Sequence, residues 1–200
     1  MKKLLSILIP LVLLTGCATT RSYVSIDYQS MPDVAKIPDA EQVQLQLTVT
    51  DSRTVKDHVS RKRNGYGLKM ANIVSTTELD QLLKQALTQE LSNRGFQFNS
   101  TSGPIVSIDV ELNKFYSKFK LYLWSADSIA STILNIKVQN PDGAVRFNKQ
   151  VEGKGHLTPV FFMGGDNAKE ALEKSLQDAI AQVFQDPEFI ASLVPTSKEL

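Results

Sequence analysis

Few residues in this chain of 200 can do chemistry: it holds one cysteine and two histidines. Cys17 directly follows Leu14-Thr15-Gly16, where a lipophilic run from Leu4 to Leu14 stops. With no second cysteine it cannot close an internal disulfide. His58 follows Asp57 in a stretch rich in Lys and Arg, and His156 lies near Gly153 and Gly155. A metal site needs several ligands at characteristic spacing, and neither a paired His nor a Cys pair is present. A Ser-His-Asp group meets only in the fold, but the Gly-x-Ser-x-Gly elbow that often announces one is missing. Both histidines read as surface or loop residues. The expectation is a non-catalytic chain with no metal and no cofactor.

The thiol of Cys17 has another chemistry. Lys2, Lys3, about ten lipophilic residues and small residues before a cleavage point make a secretory signal. A transmembrane anchor fits poorly, because the run holds Pro10 and falls well short of the roughly 20 residues that span a bilayer. A cysteine where the run stops resembles the bacterial lipobox, whose thiol receives diacylglycerol before the signal is removed. That resemblance implies residues 1–16 as signal peptide and Cys17 as the acylated N-terminus. Several acyl chains hold stably, since each buried CH₂ adds about 0.8 kcal/mol. By similarity to enterobacterial sorting rules, Ala18 after the cysteine implies the outer membrane, with the domain facing the periplasm.

Removing residues 1–16 takes away Lys2 and Lys3, leaving 20 of the 22 basic side chains against 21 acidic ones, a net charge near −1. So balanced a chain gives no case for nucleic acid, which calls for a strongly basic surface.

Two stretches have the composition of a contact surface. Lys56, Arg61, Lys62, Arg63 and Lys69, broken by Asn64-Gly65-Tyr66-Gly67, concentrate positive charge. They could hold an anionic lipid, glycan or acidic protein patch, or they are a solvated loop. Lys114, Tyr116, Lys118, Lys120, Tyr122 and Trp124 share one parity and would form a cationic-aromatic strip on an extended chain. The apolar parity changes between Leu112 and Phe115, so a bulge or turn is expected to interrupt it. Met163-Gly164-Gly165-Asp166 reads as a turn before a helix.

The elements that position these residues follow from hydrophobic period. Residues 17–42, rich in Ser, Thr, Asp and Pro, read as an acylated N-terminus and flexible tether, spanning about 25–30 Å. Residues 43–200 then form a single domain. Val43 to Thr50 alternate strictly, predicting a strand. Ser75 and Glu78 suggest a capping box before a stripe of Leu79, Leu82, Leu83, Ala86, Leu87 and Leu91, stopped at Gly95. Phe96 and Phe98 lead back to the sheet. Val106 to Leu112 alternate as a second strand, and a third apolar stretch covers Leu121 to Val138. Asn140-Pro141-Asp142-Gly143 turns the chain into a strand with Val145, Phe147 and Val151. A helix from about Asp166 buries Leu172, Leu176, Ala179, Ile180 and Val183, and Asp186-Pro187 starts a short closing helix. The order β-α-β-β-β-α predicts a two-layer α+β fold: an antiparallel sheet of about four strands with two main helices on one face.

At this point the chain resembles the YajG family of uncharacterised bacterial outer-membrane lipoproteins. The residues are Leu14-Thr15-Gly16-Cys17, Val49-Thr50-Asp51-Ser52-Arg53, the helix closing Asn93-Arg94-Gly95-Phe96, the Gly103-Pro104 strand start, Val151-Glu152-Gly153 and Gln185-Asp186. The resemblance implies a fold and a location, with no agreed activity. The functional expectation is binding of another envelope component, protein or glycan. Its candidate surface is Arg61, Lys62, Arg63, Tyr116, Tyr122 and Trp124. A lipid- or amphiphile-handling accessory is the alternative, which would need a cavity between helices and sheet with Phe161, Phe162 and Trp124 at its mouth. A hydrolase is the third reading. Oligomeric state is not legible.

Overall fold

The computed structural model describes residues 20–98 and 103–194. Cys17, the signal peptide and Ala18 lie outside them. In chain order the elements are β1 (Ser22–Val24), β2 (Gln44–Asp51), β3 (Ser60–Arg63), β4 (Lys69–Ser75), α1 (Leu79–Asn93), β5 (Ile105–Leu121), β6 (Ala126–Gln139), β7 (Val145–Val160), α2 (Gly165–Gln185) and α3 (Pro187–Leu193). The α+β class is as the sequence predicts. The main sheet has the order β2-β5-β6-β7, and a smaller sheet the order β1-β4-β3.

The main sheet is mixed rather than wholly antiparallel. β2 runs parallel to β5, from Gln44 opposite Ile105 to Asp51 opposite Leu112. Parallel neighbours need a long crossover, and β3, β4 and α1 provide it. β5 is longer than alternation alone suggests. Asn113 is an extra residue between the pairs Leu112–Leu134 and Lys114–Ile133, so the expected bulge is present. The strand continues past it to Leu121, and a tight turn with Tyr122 N–H donating to Ser125 O at 2.8 Å leads into β6.

Both main helices lie on one face. α1 packs over β2 through Leu83, Leu87 and Leu91, all nearly fully buried. The expected capping box does not form, because Ser75 exchanges hydrogen bonds with Thr77 instead. Gly95 ends the helix with φ +105°, a left-handed backbone that glycine adopts without strain. α2 lies on β6 and β7, so close that a Cβ at Gly153 would collide with Ser175 and Ala179, and one at Gly155 with Ala171. The smaller sheet spans from α2 to the edge of β5. Gly165 lies against Ser22 and Val24, and Ser117 N–H donates to Val59 O at 2.9 Å.

The stretch read as tether is largely part of the fold. Within residues 20–42, β1 pairs with β4, Ile26 is 1% exposed, and Ala40 is fully buried. Tyr28 Oη, Ser30 Oγ and Met31 N–H all donate to Glu90 Oε1, at 2.9, 3.0 and 2.8 Å. The polar groups of this stretch find their partner at Glu90, some sixty residues away. Val24, Ile26 and Tyr28 do alternate with Ser25 and Asp27 and bury accordingly, a short period-two signal that the tether reading passed over.

Candidate functional site

The face of the main sheet away from the helices carries polar side chains in register. Thr48, Asp109, Lys137 and Asn148 form one row, beside Thr50, Glu111 and Asn135. They line a concavity of about 420 Å³. Beside the bulge lies a second concavity of about 400 Å³, lined by Arg53, Val55, Lys114, Tyr116 and Ile133. Here the chain leaving β2 folds over the edge of β5.

Arg53 lines one wall of that second hollow and is held there by Asp51. Arg53 Nε donates to Asp51 Oδ1 at 2.9 Å and Nη2 to Oδ2 at 2.8 Å, a bidentate pair. Burial would raise the Asp51 pKa, but the Arg53 hydrogen bonds outweigh it and hold the carboxyl below its usual value. Arg53 Nη1 is buried with no partner among the described residues. The hollow thus combines the Lys114 ammonium with apolar walls from Val55, Tyr116 and Ile133, while the orphan Arg53 nitrogen lies beneath its surface rather than open to it.

The basic stretch forms a β-hairpin, β3–β4, against the second half of β5. Ser60 Oγ donates to Ser117 O at 3.0 Å. His58, expected at the surface, is 5% exposed and packs edge-on to Tyr116 with ring centroids 5.7 Å apart. Arg61 Nε donates to His58 Nε2 at 3.1 Å, so Nδ1 carries the proton that meets Asp57 Oδ1 at 2.8 Å. The bond to His58 lowers the Asp57 pKa. Arg63 Nη1 donates to Gly67 O at 2.7 Å. Arg61 and Arg63 therefore use donors within the hairpin, and Lys62 lies between them on β3. Both ring nitrogens of His58 are engaged.

The candidate surface divides in two. Arg61 and Tyr116 meet through His58. Tyr122 and Trp124 lie beyond the end of β5 in its turn, about 20 Å further along the strand from Tyr116. Sequence reasoning missed Asp127, which fastens that turn. Tyr122 Oη donates to Asp127 Oδ2 at 3.0 Å, and His156 Nε2 lies 3.0 Å from the same oxygen. Hydrogen bonds from Thr158, then His156 and Tyr122, lower the Asp127 pKa. It also missed Arg53, for which the Asp51-Ser52-Arg53 spacing at a strand end is the available signal.

Phe161, Phe162 and Trp124 stand exposed at the end of the sheet rather than at the mouth of a cavity between layers. Between those layers Leu134, Ile136, Leu172 and Ile180 are at most 1% exposed. Among the described residues, no three His, Cys, Asp or Glu side chains gather into a metal-sized cluster, and no helix is long and apolar enough to cross a membrane.

Comparison with known proteins gives a family and a fold. A family model described as an uncharacterised lipoprotein, Lipoprotein_16, matches residues 32–193. It is the family that the sequence motifs resemble. No curated protein matches the chain. Among solved structures, protein XCC0632 from Xanthomonas campestris superposes with a TM-score of 0.55 at 13% identity, covering 85% of this chain and 96% of its own. At that identity the likeness is one of fold. A neuraminyllactose-binding hemagglutinin homolog from Helicobacter pylori gives a TM-score of 0.45 at 7% identity, covering 83% of this chain and 97% of its own.

Proposed function

The chain belongs to the Lipoprotein_16 family of uncharacterised lipoproteins, and from that premise we propose a non-catalytic envelope-binding role for it. In this reading it is acylated at Cys17, faces the periplasm from the outer membrane, and binds a protein or glycan on the open face of its main sheet. Leu14-Thr15-Gly16-Cys17 and Ala18 support the anchor and its location.

The observation that carries the binding role is the hollow beside the bulge on the open sheet face, where exposed Lys114 lies beside Val55, Tyr116 and Ile133. A carboxylate on an acidic side chain or a sugar acid suits this hollow, with Lys114 as its cation and Tyr116 as an apolar platform.

Crosslinking in intact cells, followed by recovery of the protein, tests this. Lys114→Glu and Tyr116→Ala should each reduce the captured component several-fold, while Gln85→Glu on the exposed side of α1 leaves capture unchanged. Equal capture by all three variants, folded by circular dichroism, would overturn the site. Fatty-acid labelling that persists in Cys17→Ser would overturn the anchor.

A further inference from the structure

Three loops meet at one end of the molecule. The β5–β6 turn carries Leu123 and Trp124. The chain after β7, adjacent because Ala126 pairs with Val160, carries Phe161 and Phe162. The β3–β4 turn carries Tyr66, and its Gly67 lies against the Leu121 side chain. Tyr66, Leu123, Trp124, Phe161 and Phe162 are 70–92% exposed. Large apolar side chains gathered in this way mark a contact surface.

The path of the N-terminus says what that surface meets. β1 runs parallel to β4, with Ser22 opposite Ile73 and Val24 opposite Ser75. β4 starts at the β3–β4 turn, so β1 enters from the same end. Gly165, shortly after Phe162, touches Ser22. Five peptide links separate Cys17 from Ser22, a reach of at most about 18 Å. An acyl group on Cys17 therefore holds this end of the domain at the bilayer, with no room for a folded partner between. Exposed Lys118 and Lys120 flank the aromatic residues, and Lys120 Nζ lies 5.3 Å from the centroid of the Tyr122 ring. Aromatic tips with lysines beside them suit the headgroup region of an anionic membrane.

We infer that Tyr66, Leu123, Trp124, Phe161 and Phe162 form a membrane-docking tip that seats in the phospholipid interface beside the anchor. The inference rests on acylation at Cys17, as proposed above. It gives the domain a fixed posture: β5, of 17 residues, rises about 50 Å from the lipid and presents the open sheet face sideways to the periplasm.

Trp124 is the sole tryptophan and so reports on the tip alone. The protein isolated from membranes is reconstituted in vesicles of phosphatidylethanolamine and phosphatidylglycerol. Its emission is compared with that of Trp124→Phe/Val145→Trp, which moves the reporter to the far hairpin. Trp124 should emit at shorter wavelength, resist acrylamide several-fold better than the moved reporter, and be quenched by lipids brominated near the headgroup. Phe161→Ser/Phe162→Ser and Lys118→Glu/Lys120→Glu should each weaken that protection. Equal quenching of the two reporters would overturn the docking tip. Flotation with the vesicles reads the anchor separately. If the isolated protein lacks acyl chains, coupling its sole thiol, Cys17, to a maleimide lipid restores the attachment and the same two outcomes decide.

Discussion

Tyr28 donates its phenol to Glu90 at 2.9 Å, across 62 residues of sequence. Glu90 sits inside α1 with no exposed surface, and its other oxygen accepts from Arg94 Nη1 at 2.7 Å. The Arg94 guanidinium in turn lies 4.0 Å from the centroid of the Phe184 ring on α2. One carboxylate thus ties the N-terminal strap to both main helices. The strap, in turn, brings the chain before Ser22 to the aromatic end of the domain.

Glu90→Gln should destabilise the domain by about 3–5 kcal/mol, the range for removing one partner of a buried ion pair. Urea melts measure it. Loss of less than about 0.5 kcal/mol, as at an ordinary surface site, would mean that the strap does not depend on this group.

Burial would raise the Glu90 pKa, but hydrogen bonds from Arg94, Met31 N–H, Tyr28 and Ser30 outweigh it and bring the value below 4.5. A folded-state pKa below the unfolded one gives stability that is complete above the unfolded value. It is lost as pH falls through the folded value. Asp51, lowered in the same sense, adds to the trend. Melts at falling pH should show stability declining below about pH 4.5, with a shallower decline in Glu90→Gln. Identical slopes in the two proteins would contradict this assignment.

The parts of the fold legible in the sequence are those whose neighbours in space are periodic neighbours in the chain. Leu83 and Leu87 on α1, Leu172 and Ile180 on α2, and Leu45 and Leu47 on β2 each bury a regular face. Strands β1 and β3 escape notice because they are short and because Ser22 finds its partner at Ile73, far along the chain. Strand β4 does so because its seven residues bury only Ile73 fully and show no alternation. Asn113 shifts the parity of β5, so that Val106 to Leu112 reads as a whole strand and its continuation to Leu121 as a separate stretch. The site shows the same division. Tyr116 and Lys114 are visible as alternating residues on one strand, whereas Arg53 acquires its meaning from Asp51 and from burial by the fold. Tyr122 and Trp124 share that parity but lie past the strand end, where alternation no longer assigns a face.

Gly155 is a point of direct contact between β7 and α2, where the Ala171 backbone leaves no space for a Cβ. Gly155→Ala should force the helix off the sheet and cost about 1–3 kcal/mol, as overpacking of a close-packed interior does. Gly65→Ala, where nothing lies within 4 Å, should change stability by less than about 0.5 kcal/mol. Thermal melts of the two variants compare them directly, and equal shifts would contradict the close contact.

The binding role on the open sheet face is tested most directly by photo-crosslinking in intact cells from single positions. A photoreactive residue at Lys114, beside the Arg53 hollow, should yield a discrete adduct with an envelope component. The same residue at Gln85, on the helical side, should not. The Lys114 adduct should fall several-fold when Tyr116→Ala is added. An adduct from Gln85 alone, or a Lys114 adduct indifferent to Tyr116→Ala, would contradict the account.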